Sequence, residues 1–436
     1  MFKKLIFFLF PLFAIAQHTV KGSFSPADDY KWVILYSITP TDLLFTANST
    51  VDEKGNFTLQ LDSTVTKGVY RLIYAVPMEV YNFDIIYDAE EDIEFTFDAN
   101  KGVEFINSKE NILLASYKSE MGAVLSEIRE NYKNGYATVA DSFEKLKNIQ
   151  TTYEKKGQKT VALNFIKANK PYIPEKPEDL EKYIKNAKED YFNQIDFTNP
   201  TLQKSSFLEE SSFNYIIGFT NKEESLQTSY KKNIDAIYNK LKNNDTGFQK
   251  VFLHKLWQRF VNNGQTDLSN YITENYLIPL ATSLGDEMLI KELQLSLGAK
   301  APNFSWEEIN EGKTTTQSLY NLDNAENYIL VFWSSSCSHC LTEVPKLYAK
   351  INEIEKNNYK IIAVGLEDEP KNWQDKIKDF PRFTNVLGLE KWENKIGLAY
   401  DINATPTYFV LNKYKQITAK PEDVEALITI IETVNK

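Results

Sequence analysis

The 436-residue chain contains two cysteines, and both fall in the stretch Cys337-Ser338-His339-Cys340. A C-x-x-C pair can cycle between dithiol and disulfide, provided one sulfur is acidic enough to attack. The flanking pattern supplies the means. An apolar run from Tyr328 to Trp333 leads in as a buried strand would, and Ser334 to Ser336 make a short connection. Helical spacing follows at Leu341, Val344, Leu347, Tyr348, Ile351 and Ile354. Cys337 is thereby expected at a helix N-terminus, where unpaired backbone N–H groups and the positive dipole end favour a thiolate. Cys340 lies one turn later on the same face and can attack a mixed disulfide formed at Cys337. His339 brings an imidazole that can become cationic and stabilise the thiolate further.

Three plainer explanations compete with redox chemistry. A structural disulfide across so short a loop constrains the unfolded chain little. Half of a zinc site needs further ligands, and only His18 and His254 remain besides His339, with no second C-x-x-C. Chance spacing does not account for the strand and helix on either side. A strand, a tight turn and a helix opening at C-x-x-C form the setting of thioredoxin-like redox centres.

Cys337, Cys340, Glu343 and Pro345 form C-x-x-C-x-x-E-x-P. This resembles the TlpA/ResA-like branch of extracytoplasmic thiol–disulfide oxidoreductases, within the thioredoxin-like superfamily. Val331-Phe332-Trp333-Ser334 resembles that family's V-x-F-W-A/S strand, and Ala404-Thr405-Pro406-Thr407 its A/G-x-P-T turn. The similarity runs from about Ala301 to the C-terminus. It implies a cis peptide before Pro406, a turn facing the cysteines, backbone hydrogen bonds from Thr405 to an extended substrate, and Trp333 at the substrate side. It also implies Glu343 as a proton acceptor near Cys340, against the alternative of a solvent-facing helical residue. Glu367 and Asp368, closing the next strand, could aid proton transfer or be solvated. No metal or organic cofactor is implied, the redox group being the Cys337–Cys340 pair itself. Two departures stand out. The turn Asn412-Lys413-Tyr414-Lys415 lacks glycine, and Ser338-His339 lacks the proline common in reducing members. A histidine before the second cysteine resembles strongly oxidising members, so the direction of electron flow stays open.

Met1 to Ala16 reads as a secretory signal: Lys3 and Lys4, an apolar centre from Leu5 to Phe13, and Ala14-Ile15-Ala16 before the cleavage point. An uncleaved inner-membrane anchor is the alternative, disfavoured by a short apolar stretch that Pro11 interrupts. The expected location is therefore exported and periplasmic, an oxidising compartment. A net charge of −11 argues against a nucleic-acid partner.

The remainder divides by period. Residues 17–107 read as an antiparallel β domain, a small sandwich, from runs such as Trp32 to Ile38 and Ile93 to Phe97 separated by turn signals like Lys54-Gly55-Asn56. Residues 108–298 read as an α-helical domain. Tyr117, Met121, Val124 and Ile128 make one stripe, Val139, Phe143, Leu146 and Tyr153 another, and Leu226, Tyr230, Ile234, Ile237 and Leu241 a third. This region could position the redox domain, bind clients or mediate self-association. Residues 299–436 read as an α/β thioredoxin-like domain, a mainly parallel sheet with helices on both faces.

The expected activity is disulfide exchange with protein thiols and disulfides: Cys337 attacks, Cys340 resolves, His339 tunes the thiolate, and an upstream donor or acceptor resets the pair. A peroxiredoxin-like peroxidase is the rival enzyme, with Ser334 three residues before Cys337. The non-enzymatic rival is a surface binding or scaffold protein with an accessory redox domain.

Overall fold

The computed structural model describes residues 18–434, apart from 79, 136–138, 283–284, 311–312 and 354–357. The expected signal segment and Ile354 lie outside the described residues. By compactness the chain forms two units, one ending at Phe252 and the other starting at Leu253.

The first unit opens with eight strands: β1 (Thr19–Ser25), β2 (Trp32–Ile38), β3 (Leu43–Thr50), β4 (Asn56–Gln60), β5 (Gly68–Ile73), β6 (Asn82–Tyr87), β7 (Ile93–Asp98) and β8 (Gly102–Asn107). They form two four-stranded sheets, β4-β1-β7-β8 and β3-β2-β5-β6. Val20, Phe57, Leu59 and Phe95 of one sheet share a core with Val33, Leu35, Leu72 and Ile85 of the other. Gly55, in the first turn signal, has φ +85, where a side chain would be strained. The expectation of a wholly antiparallel arrangement needs one correction, because β1 pairs with β7 in parallel. These strands are joined through the second sheet rather than by a hairpin, which removes the geometric demand for antiparallel pairing.

Helices follow from Lys109 onward. Ser108 caps the first, Lys109–Lys133, by accepting from the Asn111 N–H. The Asn111 side chain in turn bonds both the N–H and the C=O of Ile86, which fixes this helix to β6. Its stripe of Tyr117, Met121, Val124 and Ile128 is buried. The Tyr117 hydroxyl reaches Gln150 on the helix Val139–Lys156 at 2.7 Å. In the helix Leu226–Leu241, Ile234, Ile237 and Leu241 are buried as the period requires, while Leu226 at its start is exposed.

The dividing point falls within the helix Thr246–Asn262. The expected helical region is thus shared between the units. Its last helices, Thr266–Ile272 and Glu287–Gln294, belong to the second unit, where Asn270 donates to the Gly298 carbonyl and Lys291 pairs with Asp401. His254 is half-buried, stacks on Trp257 and meets Glu292 at 3.1 Å.

The second unit holds a hairpin, β9 (Ser305–Asn310) with β10 (Lys313–Ser318), that the sequence pattern did not reveal. Its main sheet comprises β11 (Asn327–Trp333), β12 (Tyr359–Glu367), β13 (Thr384–Leu389), β14 (Thr407–Asn412) and β15 (Ile417–Ala419), in the order β13-β12-β11-β14-β15. β11, β12 and β13 run parallel, and β14 and β15 antiparallel. Alternate residues feed two cores, as strand geometry requires. Leu330, Phe332, Ile362 and Val364 pack with Phe304, Leu319 and Tyr400 on one face. Ile329, Val331, Ile361 and Ala363 pack on the other with Cys340, Val344 and Leu347 of the helix Ser338–Asn352, and with Val424, Leu427 and Ile431 of the closing helix Val424–Val434. The parallel run of β11, β12 and β13 brings their C-terminal ends to one edge.

Candidate active site

That edge carries the C-x-x-C. β11 ends at Trp333, three serines turn the chain, and Cys337 becomes the N-cap of the helix Ser338–Asn352 with extended backbone, φ −89 and ψ 117. Its Sγ accepts from the Cys340 backbone N–H at 3.2 Å, the place a serine or aspartate oxygen takes in an ordinary cap. Its thiol also donates to the Thr405 carbonyl at 3.3 Å. Partial burial pushes the Cys337 thiol up. Hydrogen bonds from Cys340, from the Thr405 side chain and from the His339 N–H outweigh that and hold it below the ordinary cysteine value. Cys340 is fully buried, and that burial, with the bond to Cys337, drives its thiol well above the ordinary value. Two sulfurs one turn apart therefore have opposite acidities.

The connecting loop is held from beneath. Glu367, at the end of β12, is 4% exposed and accepts from the Ser335 N–H at 2.5 Å, the Ser335 hydroxyl at 3.0 Å and the Ser334 hydroxyl at 3.4 Å. Asp368 beside it is exposed and pairs with Lys391 at 3.5 Å. The sequence left both open between proton transfer and solvation. The structure separates them by position: Glu367 is the last residue of a strand buried on both faces, and Asp368 is the first residue beyond it, in solvent.

The Thr405–Pro406 peptide is cis, and its turn faces Cys337. Glu343 is half-buried and accepts from the Tyr408 hydroxyl at 2.8 Å. Tyr408 is buried at the second position of β14, and burial first, then the bond to Glu343, keep its phenol protonated. Tyr408 escaped the sequence reading, because no spacing rule connects it to Glu343, 65 positions away. His339 is exposed, and its backbone N–H is what reaches Cys337. Trp333 needs a correction. It is fully buried among the helix-side core and lies edge-on to Phe380, so it supports the site from below and does not present a face to substrate. The last residue of a central strand covered on both faces has nowhere else to go. Pro345 sits within the helix one turn beyond Cys340.

Among the described residues, no group of three or more His, Cys, Asp or Glu side chains could hold a metal ion. A cleft of 1080 Å³ exists at the opposite end of the sheet, lined by Tyr320, Tyr328, Lys415 and neighbours. It includes none of the residues above, and the thiol geometry, not cavity size, locates the chemistry. Lys415 there, in the turn without glycine, has φ +66 and donates from its buried ammonium to the Leu322 and Lys413 carbonyls.

Residues 297–420 match the AhpC/TSA family. The match spans the sheet and the C-x-x-C, and the C-terminal domain is thioredoxin-like. A domain of a possible thiol-disulfide isomerase from Cytophaga hutchinsonii is 33% identical, covering 32% of this chain and 94% of its own, at a TM-score of 0.28. The thioredoxin domain of a thiol-disulfide oxidoreductase from Bacteroides vulgatus is 23% identical over 33% of this chain and 99% of its own, also at 0.28. A thioredoxin-like protein from Bacteroides caccae covers 60% of this chain and 97% of its own, at 17% identity and a TM-score of 0.31. No curated protein matches the chain.

Proposed function

We propose that this chain is an exported, TlpA/ResA-like thiol–disulfide oxidoreductase that reduces or interchanges disulfides of protein clients. The observation that carries the reading is the placement of Cys337: a helix N-cap whose sulfur is bonded to the Cys340 N–H and to the cis-proline turn, above a buried Cys340. In the reducing direction the Cys337 thiolate attacks one sulfur of a client disulfide. A Cys337–client disulfide forms, and the client's other sulfur leaves as thiolate and takes a proton. Cys340 then loses its proton, attacks the Cys337 sulfur and expels the second client thiol. Two electrons pass to the client, and the Cys337–Cys340 disulfide is left for a dithiol donor to reduce. Glu343, held by Tyr408, is the nearby carboxylate suited to take the Cys340 proton. No metal or organic cofactor enters the cycle. Residues 17–107 serve as a β-sandwich and 108–298 as a helical region that positions the redox domain or binds clients, with self-association a further role.

The peroxidase reading has less support. Ser334, which would have to assist peroxide at Cys337, is 3% exposed, and its hydroxyl is engaged with Ser336 and Glu367. Insulin-disulfide reduction measured beside peroxide consumption distinguishes the two. Cys340→Ser should also accumulate mixed disulfides with exported proteins on non-reducing gels, and Cys337→Ser few. Peroxide turnover without disulfide exchange, or trapping by Cys337→Ser alone, would overturn the proposal.

A further inference from the structure

The thiol site leaves unexplained an apolar feature on the same sheet edge. Leu389 ends β13 and is 43% exposed, and Trp392 after it is also 43% exposed. Between them Glu390 and Lys391 have φ +70 and +44, two consecutive side-chain-bearing residues in the left-handed region. The turn is held in that shape on both sides. Asn394 Nδ2 donates to the Leu389 carbonyl at 2.8 Å, the Glu393 N–H bonds the Glu390 carbonyl at 2.8 Å, and Lys391 reaches Asp368 at 3.5 Å. A strained, braced turn that keeps a tryptophan in solvent is not explained by packing.

Register connects it to the thiol. Leu389 is the Cα partner of Glu367, and Glu367 bonds Ser335, two residues before Cys337. On β13, Val386 belongs to the core of Phe332 and Val364, while Leu387 packs with Cys340 and Val344. Leu389 therefore shares the sheet face of the Cys337 helix. Two strand spacings are on the order of 10 Å, which an extended chain covers in about three residues. Exposed Glu390 and Glu393 lie within the turn.

We propose that Leu389 and Trp392 form an apolar subsite for a client polypeptide, taking an aliphatic or aromatic side chain a few residues from the cysteine joined to Cys337. The neighbouring carboxylates select against acidic client segments. This rests on the protein-disulfide reading above, and it adds a preference which that reading does not require.

The test uses the full chain, reduced and freed of reductant, and follows thiol release from three disulfides. Two are disulfide-bridged peptides that differ at one position a few residues from the cysteine, leucine in one and aspartate in the other; the third is hydroxyethyl disulfide. Wild type should prefer the leucine peptide by about tenfold, the scale of discrimination by one apolar contact. Trp392→Ala and Leu389→Ser, both at exposed positions, should bring the ratio of the two peptides toward one. They should also lower the leucine-peptide rate relative to hydroxyethyl disulfide by a similar factor. Equal wild-type rates on both peptides would overturn the subsite and leave the oxidoreductase reading intact. So would variants that slow all three disulfides alike. A dimer that Trp392→Ala makes monomeric, with peptide preference unchanged, would assign the face to a second copy instead. Reaction with hydroxyethyl disulfide and with neither peptide would overturn both readings.

Discussion

Glu367→Ala tests whether the loop before Cys337 is held by the buried carboxylate. The substitution removes the acceptor for three donors, at 2.5, 3.0 and 3.4 Å. A hydrogen bond to a charged group contributes about 1.5–3 kcal/mol net, and an orphaned buried N–H costs about 1–3 kcal/mol. The 3.4 Å contact is too long to count for much. The Ser335 hydroxyl can rotate toward another acceptor, whereas its N–H cannot. Alanine should therefore destabilise the second unit by roughly 2–4 kcal/mol. Glutamine keeps an oxygen for the Ser335 N–H and should cost about 1 kcal/mol. Urea unfolding followed by tryptophan fluorescence suits the measurement, because Trp257, Trp306, Trp333, Trp373 and Trp392 lie beyond Leu253 and only Trp32 before it. The same variants should lose Cys337 reactivity in the same order, since the loop sets the cap geometry that stabilises the thiolate. An alanine variant within about 0.5 kcal/mol of wild type, or a glutamine variant as unstable as alanine, would refute the reasoning.

Two further outcomes follow from the acidities. Cys337 lies below the ordinary value, so its alkylation rate should rise with pH and level off below about 8.5, where a free cysteine is half-ionised. Cys340, buried and raised, should stay unmodified across that range, and a Cys337 rate still climbing through pH 9 would contradict the cap argument. Tyr408→Phe deletes the donor to Glu343; that carboxylate is half-buried, so the cost should sit near the low end of about 1.5–3 kcal/mol. If Glu343 accepts the Cys340 proton, release of a mixed disulfide should slow severalfold while Cys337 alkylation is unchanged; an equal loss in both would make Tyr408 merely structural.

Much of the redox domain was legible because its signals are local. The apolar run before Ser334 could only be a central strand, and the spacing after Cys340 only a helix, so Cys337 fell at the cap without reference to the rest of the chain. What escaped was decided across strands. Glu367 and Asp368 are adjacent acids with no difference in sequence context, and only the point where β12 ends assigns one to the core and one to solvent. Trp333 reads equally as a strand end or a substrate platform until Phe380 is seen against it. Strand β3 shows why the first sheets were partly missed: Leu43, Leu44 and Phe45 are all exposed, so no alternation marks it. The parallel β1–β7 pair was likewise hidden, because pairing between strands seventy residues apart leaves no trace in either.

The opposed acidities also bear on the direction of electron flow. Stabilising the thiolate of a pair favours its reduced form and makes the disulfide a stronger oxidant. The cap at Cys337 acts in that sense, and His339 contributes through its backbone N–H, a contribution any residue at that position can make. Burial of Cys340 raises its pKa and keeps it a neutral thiol, so the reduced pair carries one ionised sulfur and not two. The His339 imidazole, which gave the sequence its oxidising look, is exposed. The pair's potential is the sum of a capped sulfur and a buried one. Burial of the second sulfur confines the thiolate to Cys337, the more exposed of the two.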